Sequence, residues 1–341
     1  MDKKILITGV TGLVGTHLAY SLLSQRAKVK ATFRKNSKRE LLKKVISYYS
    51  AEPEQLYSKI EWVECDLFDY ESLMAIFKDV DMVYHCAAIV SFEKGDEEKI
   101  INNNVIATRN VVRACIENHI SKLCHISSIA ALGGSDGELN INEENIWNPS
   151  ENHSPYSISK FLSEQEVWKG HSEGLKAVIV LPSIILGPGD WDRSSSAIFD
   201  TISKGLPFYT NGTKAYVDVQ DVVKAMIMLM ESDISGEKFI VTSENITNLQ
   251  LFSLVAKNLG VKKPFLKIPK FLRPAVMPVV GLISLIKGKK LPITKDLLSA
   301  AWTKTGYDNS KIINKTGLTF TPISKSIERI SSIYLRENKQ L

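Results

Sequence analysis

Near its N-terminus the chain runs Lys4-Ile5-Leu6-Ile7-Thr8-Gly9-Val10-Thr11-Gly12-Leu13-Val14-Gly15: an apolar run, three glycines three residues apart, then a further apolar stretch. Few folds accommodate that order. Gly9 permits a tight turn, and Gly12 lets backbone N–H groups approach a pyrophosphate. Gly15 lets a helix close onto the strand, and the N-terminus of that helix attracts the anion. Spaced glycines alone are a weak signal, but set in a strand–turn–helix they predict a dinucleotide-binding unit.

The same rhythm continues. Strands are expected over Lys4–Thr8, Val29–Phe33, Ile60–Glu64, Met82–Cys86, Leu123–Ile126 and Ala177–Leu181, and helices over Leu13–Ser24, Tyr70–Phe77, Ile100–Asn118 and Ser157–Trp168. Strands separated by helices imply right-handed crossovers and a parallel, doubly wound α/β sheet of the Rossmann type. After about residue 186, Gly187-Pro188-Gly189, Gly205–Pro207 and Asn211-Gly212 break the pattern. The expected organisation is an NAD(P)-binding domain over residues 1–186, carrying the catalytic groups, and a smaller C-terminal substrate-binding region over 187–341. Some segments of the latter should return to the sheet. Asp221 is expected to cap the helix that contains Val222–Met230.

Composition narrows the class. With 341 residues, 44% hydrophobic and 23% charged, the chain is neither disordered, collagen-like nor coiled coil, and it is long enough to bury a large core. Cys65, Cys86, Cys115 and Cys124 form no CxxC pair and sit in or beside apolar runs, so they read as reduced core thiols of a reducing compartment. The six histidines lack ligand spacing, and no metal is expected; His153, three residues before Tyr156, is placed at the mouth of the substrate site. No signal-peptide pattern precedes the first strand and no apolar run reaches membrane-spanning length, so a cytoplasmic protein is expected. A net charge of +6 calls for no nucleic-acid partner.

The second strand should end beside the cofactor's adenosine ribose, where NAD enzymes place an acid. Here the sequence reads Phe33-Arg34-Lys35-Asn36-Ser37-Lys38-Arg39, with no acid between Lys3 and Arg39. A guanidinium at Arg34, with Lys38 behind it, suits a 2′-phosphate. NADP(H) is therefore expected, with NAD(H) as the alternative.

Pro155-Tyr156-Ser157-Ile158-Ser159-Lys160 opens a helix, so Tyr156 and Lys160 lie one turn apart on one face. An ammonium there favours the phenolate of a tyrosine that is otherwise a poor acid–base group near neutrality. Ser127-Ser128 ends a strand 28 residues before Tyr156, and a serine hydroxyl at that edge can hold a reacting oxygen.

In this combination the chain resembles the extended short-chain dehydrogenases/reductases, the NAD-dependent epimerase/dehydratase family, over residues 3 to about 230. Gly9, Thr11, Gly12, Leu13, Val14 and Gly15 look like that family's cofactor loop. Asp66-Leu67 is similar to its adenine-contacting pair, and His85-Cys86-Ala87-Ala88 to the segment behind the riboses, with Asn104 on the following helix. Leu181-Pro182-Ser183 is similar to the stretch beside the nicotinamide. The resemblance implies cofactor contacts at Arg34, Lys38, Asp66, Leu67, Ala87, Ala88, Asn104, Pro182 and Ser183, together with Tyr156 and Lys160. It makes Tyr156 the general acid or base, Ser128 the holder of the substrate oxygen, and Lys160 the group that lowers the Tyr156 pKa and binds the ribose. It also implies a homodimer.

Sugar-nucleotide members commonly carry an Arg-Asp pair before the strand read here as Lys214–Val219, and this chain has only Lys214. With Arg34 that departure points toward the dihydroflavonol-reductase and 3β-hydroxysteroid-dehydrogenase branches, acting on a small carbonyl or alcohol. A nucleotide-sugar epimerase/dehydratase is the alternative, and a non-catalytic NADP-binding protein a lesser one. Finally, residues 261–290 carry eight Lys or Arg and no acid around an apolar stretch, Ala275–Ile286. Two readings stand: a helix packed on the core or on a dimer partner, or a weak contact with an anionic membrane surface.

Overall fold

Seven strands form one parallel sheet in a computed structural model that describes residues 3–89, 97–134, 136–276 and 300–338. They are β1 (Lys4–Thr8), β2 (Lys28–Phe33), β3 (Glu61–Glu64), β4 (Met82–His85), β5 (Lys122–Ile126), β6 (Ala177–Pro182) and β10 (Glu237–Val241). The order β10-β6-β5-β4-β1-β2-β3 reverses direction at β1, between β4 and β2, which is where doubly wound sheets bind ligands. The expected strands and helices are found within a few residues of their bounds, and β1, α1 (Leu13–Ser24) and α4 (Tyr70–Phe77) coincide with them.

Both faces of the sheet are covered, as a parallel sheet requires. Along β1, Ile5 and Ile7 enter one buried cluster with Leu18, Leu22, Val222 and Met226 of the helices α1 and α8 (Val219–Glu231). Leu6 points the other way, into a cluster with Val111 and Cys115 of α5 (Glu97–Glu117) and Val167 of α6 (Pro155–Ser172). Between β2 and β3 lie α2 (Glu40–Tyr49) and the short α3 (Pro53–Tyr57).

Beyond residue 186 the chain contributes both to the main sheet and to a smaller assembly. β10 pairs parallel with β6 in the main sheet. β7 (Ile184–Leu186), β9 (Thr213–Asp218) and β11 (Glu244–Thr247) make a three-stranded sheet, and β8 (Phe208–Tyr209) and β12 (Leu266–Lys267) a two-stranded one. α7 (Ala197–Ser203), α9 (Asn248–Leu259) and α11 (Ile323–Asn338) share a third core, while α10 (Ser310–Thr316) packs on β10. The four cysteines are free thiols, three of them buried. Among the described residues, no helix is long and apolar enough to cross a membrane.

One expectation needs correction. Asp218, not Asp221, caps α8, accepting the Gln220 N–H at 2.8 Å. The helix starts directly where β9 ends, so Asp221 falls inside its first turn. There it accepts the backbone N–H of Thr321 at 2.7 Å. The buried Asp218 also receives Arg329 of α11, at 2.6 and 2.7 Å to its two oxygens, and Arg329 donates to the Tyr49 hydroxyl at 2.9 Å. Removing one partner of a buried ion pair strands the other. Arg329→Leu should therefore lower the urea-derived unfolding free energy by about 3 kcal/mol, and addition of Asp218→Asn should restore part of it. Unchanged stability in Arg329→Leu would contradict this role.

Candidate active site

The ends of β1, β2, β4, β5 and β6 gather the residues singled out in the sequence. At the end of β1, Gly9 has φ +73°, and a Cβ there would stand 2.5 Å from the Ala87 nitrogen. A Cβ on Gly15 would strike the Gly9 carbonyl and stand 2.8 Å from the Val10 Cα. Both glycines are thus required by close passage of backbone. Gly12 differs: it is the N-cap residue of α1, and a Cβ there would meet only the Gly9 oxygen, at an ordinary 3.4 Å. The space before Gly12 is open, and the first N–H groups of α1 carry no side-chain cap.

At the end of β2, Arg34 is exposed, its backbone N–H donating to Ser37 Oγ at 3.0 Å. Lys38 leans toward Asp190 at 3.6 Å, and the Arg39 guanidinium lies 4.5 Å from the centre of the Phe33 ring. After β3, Asp66 accepts the Phe68 N–H, and the Leu67 carbonyl accepts from the Asn110 side chain at 2.9 Å.

A hydrogen-bonded chain runs beneath the site from β1 to α6. Thr108 Oγ1 donates to the Asn104 carbonyl at 2.8 Å, leaving its oxygen to accept from His85 Nε2 at 3.2 Å. His85 Nδ1 then accepts from Thr8 Oγ1 at 2.7 Å. Burial, aided by Lys160, pushes the His85 pKa down to about 3, so the ring is neutral, with its proton on Nε2. The Asn104 side chain grips the Ile89 backbone at both N–H (2.7 Å) and carbonyl (3.0 Å) and donates to Ser159 Oγ at 3.1 Å. Ser159 in turn donates to the Tyr156 carbonyl at 2.8 Å.

Ser127 and Ser128 diverge at the end of β5. Ser127 is buried and donates to Glu164, whereas Ser128 is half-buried and near enough to the Tyr156 hydroxyl to pull its pKa down. Ser128, Tyr156 and Lys160 are thereby brought together. The i, i+4 spacing does not, however, place the ammonium on the phenol. Lys160 Nζ donates to the Ile126 carbonyl at 2.8 Å and lies 6.0 Å from the Tyr156 ring centre. Burial raises the Tyr156 pKa, with Ser128 pulling the other way, and burial lowers that of Lys160 to about 8. Beyond them Pro182 ends β6, and the buried Ser183 Oγ has no partner among the described residues. His153 stacks on Trp147 at 3.7 Å between ring centres.

Sequence reasoning passed over Glu164, although the i, i+4, i+8 series Tyr156, Lys160, Glu164 was there to read. Glu164 is 1% exposed and 3.7 Å from Lys238. Burial drives its carboxyl up to about 7.

An open, uncapped helix N-terminus at a glycine turn, the orphaned Ser183 hydroxyl and a Ser–Tyr–Lys set at the same sheet edge define a dinucleotide-dependent protein of the short-chain dehydrogenase/reductase class. Residues 5–242 match the NAD dependent epimerase/dehydratase family, and the chain belongs to it, within its extended short-chain dehydrogenase/reductase group. It is 28% identical over 311 residues to sterol demethylase protein B of Methylococcus capsulatus, covering 91% of this chain and 88% of that one. It is 26% identical over 249 residues to cinnamoyl-CoA reductase 1 of Petunia hybrida, covering 70% and 72% respectively. The crystal structure of gox2253 superposes with a TM-score of 0.81 at 28% identity over 99% of both chains.

Glu164 gives the site a testable pH signature. Its folded pKa of about 7 lies above the ordinary 4.5, so the native state resists ionisation that the unfolded chain undergoes. Stability from this group is intact below the unfolded value and is lost as pH rises toward the folded one. Glu164→Gln, which keeps an acceptor for Ser127, should match the wild type near pH 4 and exceed it by about 3 kcal/mol near pH 8. Urea unfolding at both pH values checks this, and a constant offset would contradict it.

Proposed function

We propose that the protein is an NADP(H)-dependent oxidoreductase that reduces a ketone or aldehyde, or oxidises the matching secondary alcohol. The reading is carried by the Ser128 and Tyr156 hydroxyls, brought close at the end of β5 and the start of α6, with the buried Lys160 one turn further along α6. The residues that would hold the cofactor are the Gly9–Gly15 turn for the pyrophosphate, Arg34 for a 2′-phosphate and Lys160 toward the nicotinamide ribose, while Asn104, its amide committed to Ile89 and Ser159, shapes the backbone behind them. When bound, the nicotinamide supplies the hydride.

This chain's own task is the proton. The Tyr156 hydroxyl donates to the carbonyl oxygen in reduction, and Ser128 Oγ holds that oxygen in line. Burial keeps Tyr156 protonated at neutral pH, which suits reduction. Lys160, charged below about pH 8, offsets negative charge left on the phenol oxygen. A relative named for cinnamoyl-CoA reduction supports carbonyl chemistry. Lys214, the lone cation at the place where sugar-nucleotide enzymes carry Arg-Asp, is spent on a hydrogen bond to Thr303. That favours a reductase over an epimerase.

Tyr156→Phe should cut NADPH-dependent carbonyl reduction about 100-fold or more while leaving cofactor affinity within a few-fold. Retained turnover in that variant would reassign the proton donor. In the wild type, reduction should be flat below about pH 8 and decline above it as Lys160 loses its charge. Arg34→Ala should weaken NADPH binding tenfold or more, about 1.5–3 kcal/mol for a charge-assisted contact, and leave NADH binding unchanged. Fluorescence titration distinguishes the two cofactors, and equal wild-type affinities would count against the NADP(H) reading.

A further inference from the structure

Of the twelve exposed large apolar side chains among the described residues, four lie within residues 265–272 and a fifth, Phe208, is in register with one of them. Phe265 is 66% exposed, Phe271 78%, Leu266 45%, Leu272 43% and Phe208 46%. Scattered apolar side chains need no explanation, but clustered ones mark a contact surface. The patch has a fixed backbone. Leu266 of β12 is in register with Phe208 of β8, so the two side chains share a face of that small sheet. Phe265 and Leu266 donate their N–H groups to the Pro207 carbonyl at 3.0 and 2.9 Å, and the Trp302 ring nitrogen donates to the Ile268 carbonyl at 2.9 Å. Within this segment the charge has one sign, residues 261–276 holding Lys262, Lys263, Lys267, Lys270 and Arg273 and no acid, although Lys270 is paired with Asp136 from outside it.

We propose that this strip, residues 262–273 with Phe208, docks the protein reversibly on an anionic lipid bilayer. Phenylalanines and leucines flanked by lysines suit the boundary between acyl chains and anionic headgroups. A second copy is the poorer occupant, because a two-fold contact would set the same cations against themselves.

Lys270 of the strip pairs with Asp136 at 3.4 Å, and the two border a cavity of about 370 Å³ with Lys267 and Trp302.

The test is co-sedimentation of the full chain with vesicles of phosphatidylcholine alone and with about one quarter phosphatidylglycerol, at low and physiological salt. Binding is expected only to the anionic vesicles, weakening with salt. It should fall tenfold or more in Phe265→Ser/Phe271→Ser and in Lys263→Glu/Lys267→Glu, with both variants checked for an unchanged unfolding midpoint. No binding to anionic vesicles at low salt would overturn the proposal. So would undiminished binding of the phenylalanine variant, or a wild-type dimer that the same substitutions dissociate. No substrate or cofactor enters the assay, so its failure is distinct from failure of the reductase reading.

Discussion

A Cβ on Gly9 would stand 2.5 Å from the backbone of Ala87, and one on Gly15 would strike the Gly9 carbonyl. At the end of β1, therefore, a neighbouring strand and the following helix both pass at backbone-to-backbone distance, which any side chain would prevent. This crowding sets the start of α1 tight against the turn, and it sets the end of β4 beside it. His85 can then meet Thr8 across the two strands, and the polar chain to α6 begins there. Without the close passage, neither the glycine turn nor that chain would be in place.

The polar chain has an energetic logic. Thr8, His85, Thr108, Asn104 and Ser159 are all buried, and a buried polar group left unpaired costs about 1–3 kcal/mol. Each is instead satisfied by the next, with the His85 proton fixed on Nε2, so the network admits one arrangement. It ends on the Tyr156 carbonyl and so positions the first turn of α6. Lys160, by contrast, is held in an environment that disfavours its charge, where it donates to the Ile126 carbonyl. These five polar groups are thus neutral and paired, while Lys160, on the same helix as Tyr156, bears the desolvation strain.

Much of this was legible in the sequence because it depends on period and on glycine. β1 and α1 fell at their expected bounds, since apolar alternation and the glycine turn act within a few residues. Tyr156, Lys160 and Ser128 were readable through helix spacing and a strand end. Spacing could not give the direction of the Lys160 ammonium, because the Ile126 carbonyl that captures it comes from a strand 34 residues away. Nor could it separate Ser127 from Ser128, whose difference arises only because Glu164 is buried on one side. The capping of α8 by Asp218 was missed because β9 runs into the helix without a loop, leaving no turn signal between them.

The C-terminal region is bound to the dinucleotide half by side chains from the last helix. Arg329 joins Asp218 to Tyr49, and Glu337 accepts from the Tyr48 hydroxyl and the Trp191 ring nitrogen while pairing with Lys44 at 3.0 Å. Tyr48, Tyr49 and Lys44 all lie on α2, the helix that follows the basic segment after β2. His17 on α1 donates from Nε2 to the Pro188 carbonyl at 2.9 Å, and burial holds its pKa down at about 4, so that bond persists across the neutral range. The turn at Gly187-Pro188-Gly189 is therefore anchored to the helix that opens at the glycine loop. Movement of the C-terminal region relative to the cofactor loop would have to break buried polar contacts at both places, so the two sides of the site are mechanically one unit.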